Sequence, residues 1–330
     1  MDTGADDKTG NNIENNIYEI EPLQSDQIRL LTISPKQDNE DDNAQLRCDL
    51  KPVFLANLPP EGYTALSYTW GHDTDRLDIK VNEKIFKATR NLKEALQHFR
   101  NTQDPIPILW VDAICINQGH DGEKGEQVQL MQDIFSGAKE TWVWLGREAH
   151  ESSKAVDLIN DLSHVYRNSC PAGDTSPETA DKTQWGSIKS RGREDKLDAL
   201  NHLLARNYWY RVWIVQEIAL SKSVILFCGR RKFFWESLLF TAYLLNLHVE
   251  TRVIYSLSRT RDPFRGVLPG IQRIMSIQSV RYDFQPQEDL ERKPVDSLLC
   301  LLSNHRFTEA TVKRDKYIAL AGIAKVGHSG

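Results

Sequence analysis

The stretch ILWVDAICINQ, residues 108–118, decides how the chain is read. Over 108–116 it has the near-continuous apolar run of a parallel strand covered on both faces, yet Asp112 interrupts it and Asn117 and Gln118 close it. An ionised carboxylate without partners in such a place would cost on the order of several kcal/mol, so Asp112 must accept hydrogen bonds or shift its pKa. Ligands of open parallel sheets sit beyond the carboxyl ends of the strands, where Asn117, Gln118 and a loop at 119–125 fall. Two readings stay open: Asp112 pins backbone amides of a neighbouring loop, or it shapes a site at that edge.

Outward from this stretch the chain alternates. Upstream, IRLLTI and AQLRCDL read as a hairpin, YTALSYT (63–69) as a strand closed by Trp70 and Gly71, LDIKV and KIFKA as a hairpin about Asn82 and Glu83, and 91–100 as a helix with Leu92, Leu96 and Phe99 on one face. Downstream, Val128, Met131, Ile134 and Phe135 share a helical face over 127–138, TWVWL (141–145) is a strand closed by Gly146, and helices are expected over 153–166, 195–205 and 210–220. SVILFC (223–228) reads as the last strand, and a helix over 235–248 opens a mainly helical region. Strands alternating with helices predict an α/β fold with a parallel sheet and helices on both faces. Residues 1–16 offer nothing to bury and read as disordered, and 168–194, rich in Ser, Thr, Gly and charge, as a mobile insertion.

A chain of 330 residues with 40% hydrophobic content can build a sizeable core. A net charge of −5 and short, scattered basic clusters speak against nucleic-acid binding. Five cysteines without a CxxC pair indicate neither a disulfide framework nor a zinc knuckle and fit a reducing, cytoplasmic setting. The nine histidines show no HExxH spacing, so no metal is expected, and no apolar run reaches the roughly 18 residues of a membrane span.

A second anomaly lies in YRVWIVQEIAL, 210–220. Glu217 falls between Trp213 and Ile214 on the helical wheel, with no polar face to receive it. It is either matched by Arg206 or Arg211 or placed at a cleft. Trp70-Gly71 is the third feature, since glycine after a strand lets the backbone turn sharply or approach a ligand.

YTALSYTWG, NLKEALQHFR, ILWVDAICINQ and EKGEQVQLMQDIFSGAKETWVWLG (123–146), followed by RNYWYRVWIVQEIALS and EATVKRDKYIALAGIA, together resemble the fungal heterokaryon-incompatibility (HET) domain. The resemblance implies a HET domain over 17–230 with a β-rich opening at 18–60, a helical extension at 231–330, and a role in fungal non-self recognition that ends in cell death; the apolar helix expected at 317–324, short of partners, reads as belonging to a longer protein. More remotely, SYTWGHD, LWVDAICINQGHDGEK and VWIVQEI are similar to the first strand, second strand and catalytic helix of TIR signalling domains, which implies a flavodoxin-like α/β fold and, as in some TIR members, cleavage of NAD. That similarity implies NAD as substrate, with no further cofactor. Glu217 would be the catalytic carboxylate beside Trp213, and Trp70, Gly71, Asp112, Asn117 and Gln118 would shape the pocket. One carboxylate suffices, because nicotinamide leaves NAD as a neutral ring and only the oxocarbenium-like ribose needs stabilising. The alternative is a non-catalytic module that self-associates through the charged loop 118–125.

Overall fold

The computed structural model describes residues 17–18, 23–37, 39–41, 44–71, 74–103, 105–169, 194–255, 267–284, 298–306, 308–310 and 313–324. The readings of 1–16 and of nearly all of 168–194 therefore lie outside the described residues. The chain forms two compact units, one drawn from Met1–Leu58 and Trp70–Gln127, the other from Pro59–Thr69 and Val128–Gly330.

In the first unit β1 (Gln27–Ile33) and β2 (Arg47–Phe54) form the expected hairpin, in register from Gln27 opposite Phe54 to Ile33 opposite Cys48. β4 (Arg76–Val81) runs parallel to β2 and antiparallel to β5 (Lys84–Thr89). The turn between β4 and β5 places Asn82 and Glu83 at φ 50° and 59°, the left-handed pair that suits the twist of a two-residue hairpin. Thr89 caps α1 (Arg90–Thr102) through its side chain, and Leu92, Ala95, Leu96 and Phe99 bury one stripe of that helix.

The opening stretch departs from its sequence reading. Only Leu109–Trp110 is strand (β6), pairing antiparallel with β1 at Leu31, and Asp112–Cys115 is a helical turn, α2. Asp112 is thus the first residue of a helix rather than the middle of a strand. Its carboxylate accepts the Ala113 backbone N–H at 2.7 Å, the kind of bond a helix start offers to an acid. The expected loop at 119–125 is likewise shorter, because α3 (Asp121–Gln129) begins within it.

In the second unit β3 (Thr64–Tyr68), β7 (Glu140–Trp144) and β8 (Val224–Cys228) pair in parallel, as the alternation predicts. All five residues of β3 are buried, the signature of a strand covered on both faces. β8 is not the last strand: β9 (Arg231–Phe234) returns antiparallel to it. The helix expected at 127–138 is broken at Leu130 into α3 and α4 (Met131–Gly137). The one expected at 210–220 is a 3₁₀ turn, Asn207–Tyr210, followed by α7 (Trp213–Ala219). α5 (Ser152–Ser169), α6 (Glu194–Leu204) and α8 (Trp235–Tyr255) match expectation, and α9 (Leu268–Phe284), α10 (Leu298–Asn304) and α11 (Lys313–Ala321) make the C-terminal region helical.

α9 is tied to α7 by a buried arginine. Arg281 donates to the carbonyls of Ile218, Ser221 and Lys222, at and just beyond the end of α7. α9 also meets α6 closely at Gly270, where a Cβ would lie 2.6 Å from Leu204 Cβ. Gly270→Ala should therefore destabilise by about 1–3 kcal/mol through overpacking, read as a lower denaturant midpoint at unchanged slope.

Candidate functional site

Two buried polar clusters carry the residues singled out in the sequence, one in each unit. In the first, Arg29 on β1 reaches Glu123 on α3 with both guanidinium nitrogens, at 2.5 and 3.1 Å, and donates to the Cys115 carbonyl at 3.1 Å. The two side chains are 5% and 6% exposed. Glu123 also accepts the Asn117 backbone N–H at 2.8 Å, and its own N–H is taken by His120 Nδ1. Tyr18 covers the Arg29 guanidinium with its ring and donates its hydroxyl to the Ile116 carbonyl. Burial alone would raise the Glu123 pKa, but the bonds from Arg29 and Asn117 hold it below the ordinary 4.5. Residues 115–123 are thus clamped from within. Within the loop expected at 118–125, Glu123 points inward to a partner, while Gly119, His120, Asp121, Gly122, Lys124 and Gly125 are exposed.

Asp112 answers the question raised by its sequence position. Its Oδ2 accepts the indole N–H of Trp70 at 2.8 Å while its Oδ1 holds Ala113 N–H. A helix-start acid so fixes the edge of an aromatic ring and leaves its faces available. Gln118 donates Nε2 to the Asp112 carbonyl at 3.0 Å, and Asn117 Oδ1 accepts from Gly119 N–H at 3.2 Å. Trp70, Asn117 and Gln118 line a hollow of ≈ 210 Å³ with Tyr18, Phe86 and Leu92. Gly71 sits at φ 84°, a conformation that a side chain would strain.

The second cluster surrounds Glu217, which is 3% exposed. Arg211 meets both its carboxylate oxygens, at 3.2 Å to Oε1 and 3.3 Å to Oε2. Ser67 on β3 donates to Oε2 and shares a 2.8 Å hydrogen bond with the Tyr208 hydroxyl. Burial, and then the charge of Glu217, push the Tyr208 phenol well above its ordinary value, so it remains a neutral hydroxyl. Of the two readings of Glu217, the geometry fits the ion pair with Arg211. Trp213 is the first residue of α7, half-buried on the same helix. Arg211 is itself anchored, since Val212 N–H and the Tyr210 carbonyl bracket the backbone of Glu309.

The structure thus brings Trp70, Asp112, Asn117 and Gln118 together in the first unit and holds Glu217 and Trp213 in the second. Sequence reading missed Arg29, Tyr18 and Ser67. Arg29 is a cation inside the alternating apolar strand IRLLTI, which is the same kind of signal that exposed Asp112 and Glu217. Ser67 and Tyr18 carry no such signal. Among the described residues no group of three or more His, Cys, Asp or Glu side chains is placed to hold a metal. None of the described helices is long and apolar enough to cross a membrane.

Residues 63–217, which include both clusters except Tyr18 and Arg29, match the family model of the heterokaryon incompatibility protein (HET). Over this stretch the chain is similar to the HET domain. It is 26% identical over 340 aligned positions to heterokaryon incompatibility protein 6, OR allele, of Neurospora crassa, covering 91% of the present chain and 48% of that protein. The chain thus spans about half the length of this relative. No solved structure matches it significantly. The matched residues supply Glu123, but its cation Arg29 lies upstream of them, so this clamp depends on the preceding hairpin.

Breaking this clamp is a sharp test. Glu123→Gln leaves Arg29 buried without its counter-charge and should cost about 3–5 kcal/mol at neutral pH. Because the folded-state pKa of Glu123 is depressed, its contribution is complete above 4.5 and is lost as pH falls through the lower folded value. The stability gap between wild type and Glu123→Gln, measured by urea unfolding, should narrow below pH ~4.5.

Proposed function

We propose that this chain is the HET-domain part of a fungal incompatibility effector that signals by association rather than by chemistry at Glu217. The family match and the similarity to an incompatibility protein support the biological role. The observation that carries the mechanistic part is the state of the Glu217 carboxylate: both oxygens are engaged by Arg211, one also by Ser67, and the residue is 3% exposed. A carboxylate that stabilises an oxocarbenium ion must turn an unneutralised oxygen toward bound ribose. Exposed Asp121 and Lys124, raised on a helix start whose base is pinned by Glu123, offer instead a rigid charged surface for a second copy.

The second reading, NAD hydrolysis upon clustering, is favoured by one feature, the placement of Trp213 and Glu217 one turn apart on α7. It requires Arg211 and Ser67 to release Glu217.

The experiment is expression in a fungal host of wild type, Glu217→Gln, and the surface single reversal Lys124→Glu, following growth, NAD content and self-association. Wild type should leave NAD at the level of the empty-vector control. The Lys124→Glu reversal, which sets a carboxylate against Asp121 of the second copy, should weaken self-association about tenfold, near 1.4 kcal/mol, and relieve growth arrest. Severalfold NAD loss with wild type but not with folded Glu217→Gln would overturn the reading in favour of the enzyme.

A further inference from the structure

The hollow beside Trp70 has a composition that association alone does not explain. We propose that it binds a planar heterocycle presenting a carbonyl next to a ring N–H, the edge carried by uracil-type and hypoxanthine-type bases. Three features point to this ligand class.

The first is the platform. The Trp70 indole is fixed by its edge through Asp112 Oδ2 at 2.8 Å, and Trp70 is only half-buried, so a ring can lie against it without displacing any hydrogen bond. Phe86, Leu92 and Ala113 add apolar lining beside it.

The second is a spare donor and acceptor on adjacent residues. The Asn117 carboxamide is oriented by Gly119 N–H, which takes Oδ1 and leaves the Nδ2 donor. The Gln118 carboxamide is oriented by the Asp112 carbonyl, which takes Nε2 and leaves the Oε1 acceptor. Backbone partners settle both amide orientations, so the assignment does not depend on which way an amide is drawn. Among the described residues neither Nδ2 of Asn117 nor Oε1 of Gln118 has a hydrogen-bond partner. Both residues line the hollow, so one donor and one acceptor are available to a ligand edge that carries an acceptor and a donor.

The third is size. At ≈ 210 Å³ the hollow is smaller than the ~300–1,000 Å³ of pockets that enclose drug-sized ligands. It suits a single base and not a whole dinucleotide. The backbone carrying Asn117 is itself held by buried Glu123 at 2.8 Å, so the site is preorganised rather than assembled on binding. The inference is independent of the role of Glu217, which lies in the other unit.

The test is equilibrium dialysis of the whole chain with uridine and inosine, each paired with its ring-N-methylated counterpart, 3-methyluridine and 1-methylinosine. At least one parent nucleoside should bind saturably at one site, with its methylated counterpart at least about tenfold weaker for loss of one hydrogen bond. Asn117→Asp keeps the acceptor that Gly119 uses but replaces the spare donor with an acceptor, so it should weaken binding at least about tenfold at unchanged circular dichroism and melting temperature. Trp70→Ala should abolish binding, and should it fail to fold, Asn117→Asp decides alone. Failure of both nucleosides to bind, equal binding of the methylated forms, or undiminished binding to Asn117→Asp would overturn the proposal.

Discussion

A charged carboxylate removed from water persists in a folded protein only in company, and the company of Glu217 sets the functional reading of this chain. Arg211 embraces both of its oxygens and Ser67 adds a third donor. Desolvation would otherwise cost several kcal/mol on the order expected for a buried ion, so these bonds offset a penalty inherent in placing a glutamate on a helix that is apolar nearly all round. Having met that need, the carboxylate has no oxygen left without a donor to turn toward a substrate. Tyr208, kept neutral by its burial, extends the same network without adding charge.

The first unit repeats the principle with a different outcome. Arg29 and Glu123 are buried as a bidentate pair, and the spare capacity of each is used on backbone: Arg29 on the Cys115 carbonyl, Glu123 on the Asn117 amide. The pair therefore fixes a stretch of chain whose own regular structure is slight, two residues of strand and one helical turn. What that stretch presents outward is a ring held by Asp112 and two amides held by backbone. In this unit the ion pair supports a polar surface, whereas in the second unit it consumes the polar group.

Much of the architecture was legible because periodicity reports burial. The runs 63–69, 141–145 and 223–228 read as strands of a parallel sheet, and 64–68, 140–144 and 224–228 are so paired, and Asn82-Glu83 announced its hairpin through turn chemistry. The stretch 108–116 misled because an apolar run longer than a few residues does not distinguish a strand from a strand that turns into a helix. Asp112, taken as an intruder in a strand, was in fact the helix-start signal. For the site, misfit charges were informative: Asp112 and Glu217 both proved to be bonded centres of local networks. Their partners were only partly legible. Arg211 was named because it is near in sequence, but Ser67 lies 150 positions from Glu217 and Arg29 lies 94 from Glu123, and pairings over such distances are set by topology, which a single sequence does not spell out.

The account rests on the carboxylate of Glu217 belonging to Arg211. A double-mutant cycle of Arg211→Met and Glu217→Gln, read by urea unfolding of the whole chain, measures that bond directly. Each single change should be strongly destabilising and the double change much less than their sum, with a coupling above about 1 kcal/mol, as for residues that share one buried network. Additivity within about 0.5 kcal/mol would show that the two side chains stand apart in solution, and would return Glu217 to the set of groups free to act on a substrate.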